Sequence, residues 1–237
     1  MTAEQHPTAD AFARLAVELH DTDGVGETVE AVVQFAVQAL SCRYAGVVLN
    51  EHGRKLSIAS VTAPVICELY NLQLEAAEGP LMTCLETRGP VWVDDVAAEE
   101  RWSPEWSRLA DSIGIRSILH LPLTSAERPV GVLSFFSEQR SGFGPDDLAV
   151  GHILARHASI AVANARNEET MAQAVDARKL VGQAMGILME RFDLDGDRAF
   201  EVLRRYSQDS NTKLRDVAQE LIDTRKLPRA GGAAARQ

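Results

Sequence analysis

The chain has 237 residues, 46% of them apolar, 24% charged and 5% aromatic, a globular composition that excludes general disorder, collagen and a disulfide-stapled miniprotein. No apolar run approaches the roughly 20 residues needed to cross a bilayer, and the start MTAEQHPTAD lacks a basic stretch followed by an apolar one, so a soluble cytoplasmic protein without membrane contact is expected. The formal net charge is -10, yet 1–167 hold 12 basic against 22 acidic side chains, 168–237 hold 12 against 12 and 198–237 hold 9 against 5, so a polyanion is expected to be met only at the C-terminal end.

In chain order, helices are predicted over 7–20 and 26–41 around the turn DTDGVG, the second with Val29, Val32, Val33, Ala36, Val37 and Leu40 at three-and-four spacing. Strands over 44–50 and 56–62, joined through Gly53, read as an antiparallel hairpin. Helices follow over 65–76 and 81–87, then a short strand over 90–93. Another helix opens at Ser103-Pro104-Glu105, where Ser103 suits the N-cap and Pro104 the first turn, and Gly114 closes it. Strands over 117–123 and 129–137 are again a hairpin distance apart. This order is that of an α+β domain with a mostly antiparallel sheet.

From Pro145 the pattern is helical over an unusual length. Leu154, Ala158, Ala161, Ala165, Ala172 and Val175 form one row, and Ile160, Asn167, Met171, Ala174, Val181, Met185 and Leu188 form another. Two rows on one long helix point to parallel coiled-coil pairing in a homodimer, against the alternative of a helix that simply packs on its own sheet. The segment 192–196 breaks the helix, and Asp195 is placed to cap the next one, whose apolar face is read as Ala199, Phe200, Leu203 and Tyr206. A second turn at 209–212 precedes a helix with Leu214, Val217, Ala218, Leu221 and Ile222 in an amphipathic stripe. The expected organisation is a tail over 1–9, a domain over 10–165, a helical domain over 166–228 whose first helix continues from the preceding one, and a tail over 229–237.

Catalytic constellations are scarce. The chain has no phosphate-binding loop and no dinucleotide fingerprint, since Gly24-Val25-Gly26 lacks the third glycine and follows no strand. His152 and His157 lie about 140° apart on a helix and cannot share a metal ion. Asp94-Asp95 and Asp146-Asp147 suit element ends better than acid/base chemistry. Ser210-Asn211-Thr212-Lys213 matches a serine-lysine motif by letter only, and reads as a helix cap. No catalytic residue, metal ligand or cofactor is therefore assigned, and a non-enzyme is expected. Cys42, Cys67 and Cys84 at spacings of 25 and 17 suggest buried thiols rather than disulfides or zinc ligands. A thiol-dependent reductase of a small metabolite remains the enzymatic alternative.

Two stretches resemble known families. EGPLMTCLETRGPVWVD at 78–94, Arg101-Trp102, GIRSILHLPL and RPVGVLSFFSEQRSGFGPDD resemble a GAF domain of the kind found in actinobacterial regulators, over about 10–165. That resemblance implies an antiparallel sheet with helices that often pair between subunits, and a sensory role. Some such domains bind cyclic nucleotides, haem or bilins, but the sequence has no NKFDE-type motif and no tetrapyrrole-attachment sequence. Residues 177–223, ARKLVGQAMGILMERFDLDGDRAFEVLRRYSQDSNTKLRDVAQELID, closely resemble an ANTAR domain, which implies a dimeric regulator that binds paired RNA hairpins and prevents transcription termination. Many such domains carry Lys where this chain has Met185.

The polar residues of that segment supply a candidate RNA-binding set: Arg198, Arg205, Ser207, Gln208, Asn211, Lys213 and Arg215. Arg198 and Arg205, seven apart, share a helix face, and Asn211, Lys213 and Arg215 cluster where the next helix exposes free N–H groups. Competing with this is a solvated face with Arg204 and Arg205 paired to Glu201 or Asp209. Phe200 and Tyr206 are expected in the core rather than stacked on bases. A DNA-binding transcription factor is the other reading of two short helices joined by a tight turn.

Overall fold

The structure, a computed structural model, describes residues 9–22, 24–51, 55–125 and 128–226. The hairpin tips at 52–54 and 126–127 lie outside the described residues. So do the expected tails, except that Ala9 already opens the first helix. The chain divides into two compact units, Met1–Asn167 and Glu168–Gln237.

The first unit runs α1 (Ala9–His20), α2 (Gly24–Ala39), β1 (Tyr44–Glu51), β2 (Lys55–Val61), α3 (Val65–Ala76), α4 (Pro80–Thr87), β3 (Val91–Val93), a single 3₁₀ turn (Val96–Ala98), α5 (Pro104–Ser112), β4 (Ser117–Ser125) and β5 (Arg128–Ser137). The start of α6 (Pro145–Phe192) completes it. The strands form one antiparallel sheet in the order β2-β1-β5-β4-β3. Both expected hairpins form. The 3₁₀ turn has no counterpart in the sequence reading because three residues are too few to show a period.

Strand geometry sends alternate side chains to opposite faces. Val47, Leu49, Leu121, Leu133 and Phe135 face α2 and α6, where they meet Val29, Val33, Leu154 and Ala158. Val48, Ile118, Val132 and Phe136 face the other way, onto Ile66, Leu69, Tyr70, Leu81 and Trp106 of α3, α4 and α5. A sheet covered on both faces explains why Val130-Gly131-Val132-Leu133-Ser134-Phe135-Phe136 reads as a nearly unbroken apolar run, buried throughout. Gly151 lets α6 approach closely, since a Cβ there would lie 2.6 Å from Leu121 Cδ1.

Asp147 opens α6 by accepting the Gly144 N–H on Oδ2 at 2.7 Å. Leu154 and Ala158, expected in a row for self-pairing, instead belong to the core of their own unit, and Ala165 is buried as well. The large apolar side chains that α6 leaves exposed are Ile153, Ile160, Met171 and Val175, with Met189 and Phe192 towards its end.

The second unit takes the end of α6 with α7 (Gly196–Ser210) and α8 (Leu214–Thr224). Its core is Ala184 and Leu188 of α6, Ala199 and Leu203 of α7, and Val217, Ala218 and Leu221 of α8, with Met185, Leu194, Tyr206 and Leu214 at its rim. Small residues at 184, 199 and 218 let the three helices pack closely.

Candidate nucleic-acid interface

Local backbone chemistry sets the frame of the second unit. Asp195, in extended conformation, accepts the Arg198 N–H on its side chain at 2.8 Å and starts α7, as the sequence indicates. Asn211 does not cap α8. It adopts the left-handed conformation, φ 50°, and ends α7, a role asparagine fills because it tolerates that region. Ser207 Oγ donates to the Thr212 carbonyl at 2.6 Å and Ser210 Oγ to the Tyr206 carbonyl at 2.6 Å, which fixes the turn between the helices. Lys213 occupies the N-cap position of α8 with no side-chain capping bond.

The expected site residues divide between two flanks of α7. At 100° per residue, Arg198 and Arg205 lie within about 20° of each other. Each pairs with a nearby carboxylate, Arg198 with Asp195 at 3.7 Å and Arg205 with Asp209 at 3.6 Å. Ser207 and Asn211 fall on a different flank, about 140° from Arg205 when measured at Phe200, which lies in line with them. Arg204, on that same flank, pairs with Glu201 at 2.6 Å. Gln208 is exposed beside it. On α8, Arg215 Nε donates to Asp216 Oδ1 at 3.1 Å, and Lys213 is exposed without an ion pair among the described residues.

These pairs are the solvated alternative weighed for Arg204 and Arg205. All are exposed, with Arg205 side-chain accessibility at 83%, and exposed pairs contribute only about 0.2–1 kcal/mol each. They hold the cations weakly enough that a phosphate can replace the carboxylate. Phe200 departs from expectation. It stays 37% exposed, whereas Tyr206 is half-buried and packs against the core. Its position only 60° or so from Leu203 puts it at the edge of the apolar stripe, where it is only partly covered.

The first unit has no group of three metal-ligating side chains among the described residues. Asp95 caps the 3₁₀ turn, accepting the Ala97 N–H at 3.1 Å, and Ser103 caps α5 through the Glu105 N–H at 3.2 Å. His157 stacks on Phe12 with ring centroids 6.3 Å apart, while His152 is exposed. Cys42 and Cys84 are buried, and burial pushes both thiols up to about 12, whereas Cys67, expected to be buried with them, is only half-buried near the start of α3. His120 is buried against Phe136 with neither ring nitrogen bonded, and burial lowers it to about 3. The Tyr70 hydroxyl and Ser134 Oγ are buried beside each other; burial raises the Tyr70 hydroxyl and its hydrogen bond with Ser134 opposes that.

Comparison with known proteins gives a GAF domain match over residues 22–163 and an ANTAR domain match over 169–222. Similar solved structures include the GAF domain from an Acinetobacter phosphoenolpyruvate-protein phosphotransferase, 15% identical, covering 68% of this chain and 96% of that one with a TM-score of 0.53. The GAF domain of the Coxiella burnetii phosphoenolpyruvate-protein phosphotransferase is 15% identical over 68% of this chain and 95% of that one, TM-score 0.55. Free methionine-R-sulfoxide reductase from Neisseria meningitidis in complex with its substrate is 19% identical over 71% of this chain and 99% of that one, TM-score 0.53. At such identities these likenesses establish the fold alone. No curated protein sequence matches the chain. The chain belongs to the GAF domain family and carries a C-terminal ANTAR domain, a sensor module joined to the module of an RNA-binding antitermination regulator.

Proposed function

We propose that the protein is a cytoplasmic, signal-responsive regulator that binds paired RNA hairpins as a homodimer and so prevents transcription termination, with the GAF domain as sensor or dimerisation module. The observation that carries this reading is the ANTAR match on a compact three-helix unit whose surface exposes Arg198, Arg204, Arg205, Lys213 and Arg215. Basic and acidic side chains balance after residue 167. Counterion release from one copy therefore gives weak affinity, and two copies on two loops supply the rest through effective concentration. The exposed Ile153 and Ile160 on the part of α6 that belongs to the first unit are the surface for pairing. A signal at the GAF domain acts by favouring one arrangement of the paired helices, which requires that it bind two states differently.

No reaction is assigned to the chain and no cofactor is invoked. A thiol-dependent reductase needs an ionised thiol near neutral pH. With Cys42 and Cys84 pushed up to about 12, burial favours a packing role for both. Among the described residues no helix is long and apolar enough to cross a membrane. The test is parallel filter binding of the full chain to a two-hairpin transcript and to the matching DNA duplex. Retention of the transcript in preference is expected, and preference for the duplex would replace this reading by that of a DNA-binding transcription factor.

A further inference from the structure

Helix α6 runs unbroken through 48 residues, yet its packing falls into two separate parts. Val162 belongs to the core of the first unit and Ala165 is buried just beyond it, while Leu180, Val181, Ala184 and Leu188 pack in the second. Between these anchors, 167–176 are exposed at every position, which on a helix means exposure on all sides over nearly three turns. Such a stretch draws nothing from burial. An isolated helix of its length is marginal in water, because most helical stability in proteins comes from packing. Composition does not make up the difference: Asn167, Thr170, Val175 and Asp176 are poorer helix formers set among Glu, Gln and Ala. Gly182 weakens the same helix further along. A Cβ there would meet nothing within 4 Å, so no close approach calls for glycine, which lowers helicity at that point.

We propose that 167–182 is a helix–coil switch: packed segments at either end hold it helical, and its local melting loosens the connection through which the sensor constrains the RNA-binding unit. The inference rests on the RNA-binding reading above and names the element through which a signal acts. A signal that tightens the first unit around Val162 and Ala165 extends a ready-made helical nucleus into the stretch, and one that loosens that packing lets the stretch open. Propagation from an existing nucleus is nearly balanced per residue, so small changes at the anchor shift the whole stretch. Pairing is assigned to Ile153 and Ile160, outside the stretch, so two copies stay together when it melts. What changes is the stiffness of the link, and with it the effective concentration of the second RNA-binding unit once the first has bound.

Hydrogen exchange of the full chain, read by mass spectrometry and corrected for intrinsic rates, tests the switch. Amides in 167–179 are expected to exchange about a hundredfold faster than those in 154–162 and 184–188. Gly182→Ala is expected to slow exchange in the stretch by about fivefold, and Ala172→Gly with Ala174→Gly to speed it by roughly ten- to thirtyfold, with both cores unchanged. Filter binding reads the consequence. The double-glycine variant is expected to hold a two-hairpin transcript about tenfold more weakly and a single-hairpin transcript as tightly as the unsubstituted chain does. Exchange in 167–179 as slow as in the flanking segments, the result if a second copy covers the stretch, overturns the proposal. So does a double-glycine variant that holds both transcripts unchanged, or loses both equally. RNA binding stands in each of these cases. If the unsubstituted chain retains neither transcript, the RNA-binding reading fails and the switch's role in it falls too.

Discussion

Ser159 of α6 accepts the backbone N–H of Thr124 at 3.0 Å and donates its own proton to the Ala155 carbonyl at 2.6 Å. The pairing of β4 with β5 shifts register between Leu123 and Thr124, and the buried serine satisfies the amide next to that irregularity. The helix whose free side is the proposed pairing surface is thus pinned to the sheet by a polar contact as well as by Leu154 and Ala158. Ser159→Ala is expected to lower stability by about 1–3 kcal/mol, the cost of a buried amide without a partner. Urea unfolding of the full chain followed by tryptophan fluorescence measures it, and an unchanged midpoint would mean that another acceptor serves Thr124.

Asp195→Ala removes the cap of α7 together with the partner of Arg198. Loss of the cap costs about 1 kcal/mol, whereas the exposed pair contributes little. Amide hydrogen exchange in α7 should speed up several-fold while the GAF sheet is unaffected. Equal protection in both proteins would remove Asp195 from its capping role.

His120 makes stability depend on acidity. Its imidazole is held neutral down to about pH 3 by burial, while in the unfolded chain it takes a proton near its ordinary value of about 6.5. Above that value neither state is protonated and the group costs nothing. As pH falls through 6.5 the unfolded state gains a proton that the folded state refuses, so stability declines towards pH 3 by up to about 1.4 kcal/mol per pH unit. His120→Leu should flatten that part of the profile, as measured by unfolding midpoints between pH 7 and pH 4. A profile of the same slope in both proteins would show that other groups set it.

Ile160→Glu places a charge on the exposed side of α6, away from the core that Leu154 and Ala158 build. A surface substitution of this kind changes monomer stability by about 0.5 kcal/mol at most. If the exposed row is where two copies meet, light scattering should give a dimer for the unsubstituted chain and a monomer for the variant. A dimer in both cases would place the interface elsewhere.

Lys213→Ala and Arg215→Ala are each expected to weaken transcript binding and to lower the slope of log affinity against log salt by about 1 if the residue contacts phosphate. Arg215 first has to release Asp216, so its effect should be the smaller of the two. Salt titration by filter binding measures both, and an unchanged slope takes the residue out of the interface.

Much of this architecture was legible in the sequence because local rules and tertiary packing agree. The stripe from Leu214 to Ile222 and the Asp195 cap needed only helical periodicity and one oxygen at the right spacing. The strand order β2-β1-β5-β4-β3 was not legible, since pairing β1 with β5 joins segments more than eighty residues apart that no local period links. The long helix misled in one respect. Its two rows look alike in sequence, yet the sheet takes the first at Leu154 and Ala158 and leaves Val175 exposed, while the second is exposed at Ile160 and Met171 and buried at Leu188. Asn211 suits a helix N-cap by its side chain yet closes α7, because the same short polar side chain suits a cap and a left-handed turn. Phe200 differs for a related reason: helical spacing places it at the edge of the apolar stripe, and periodicity does not decide how far such an edge is covered.

Crosslinking in living cells, followed by sequencing of the nucleic acid recovered with the protein, tests RNA binding most directly. Recovered fragments should be transcripts, with crosslinks concentrated in neighbouring pairs of stem-loops ahead of terminators and reduced in a variant lacking residues 196–224. Recovery of DNA instead, or of transcripts scattered without hairpins and unchanged in that variant, would contradict it.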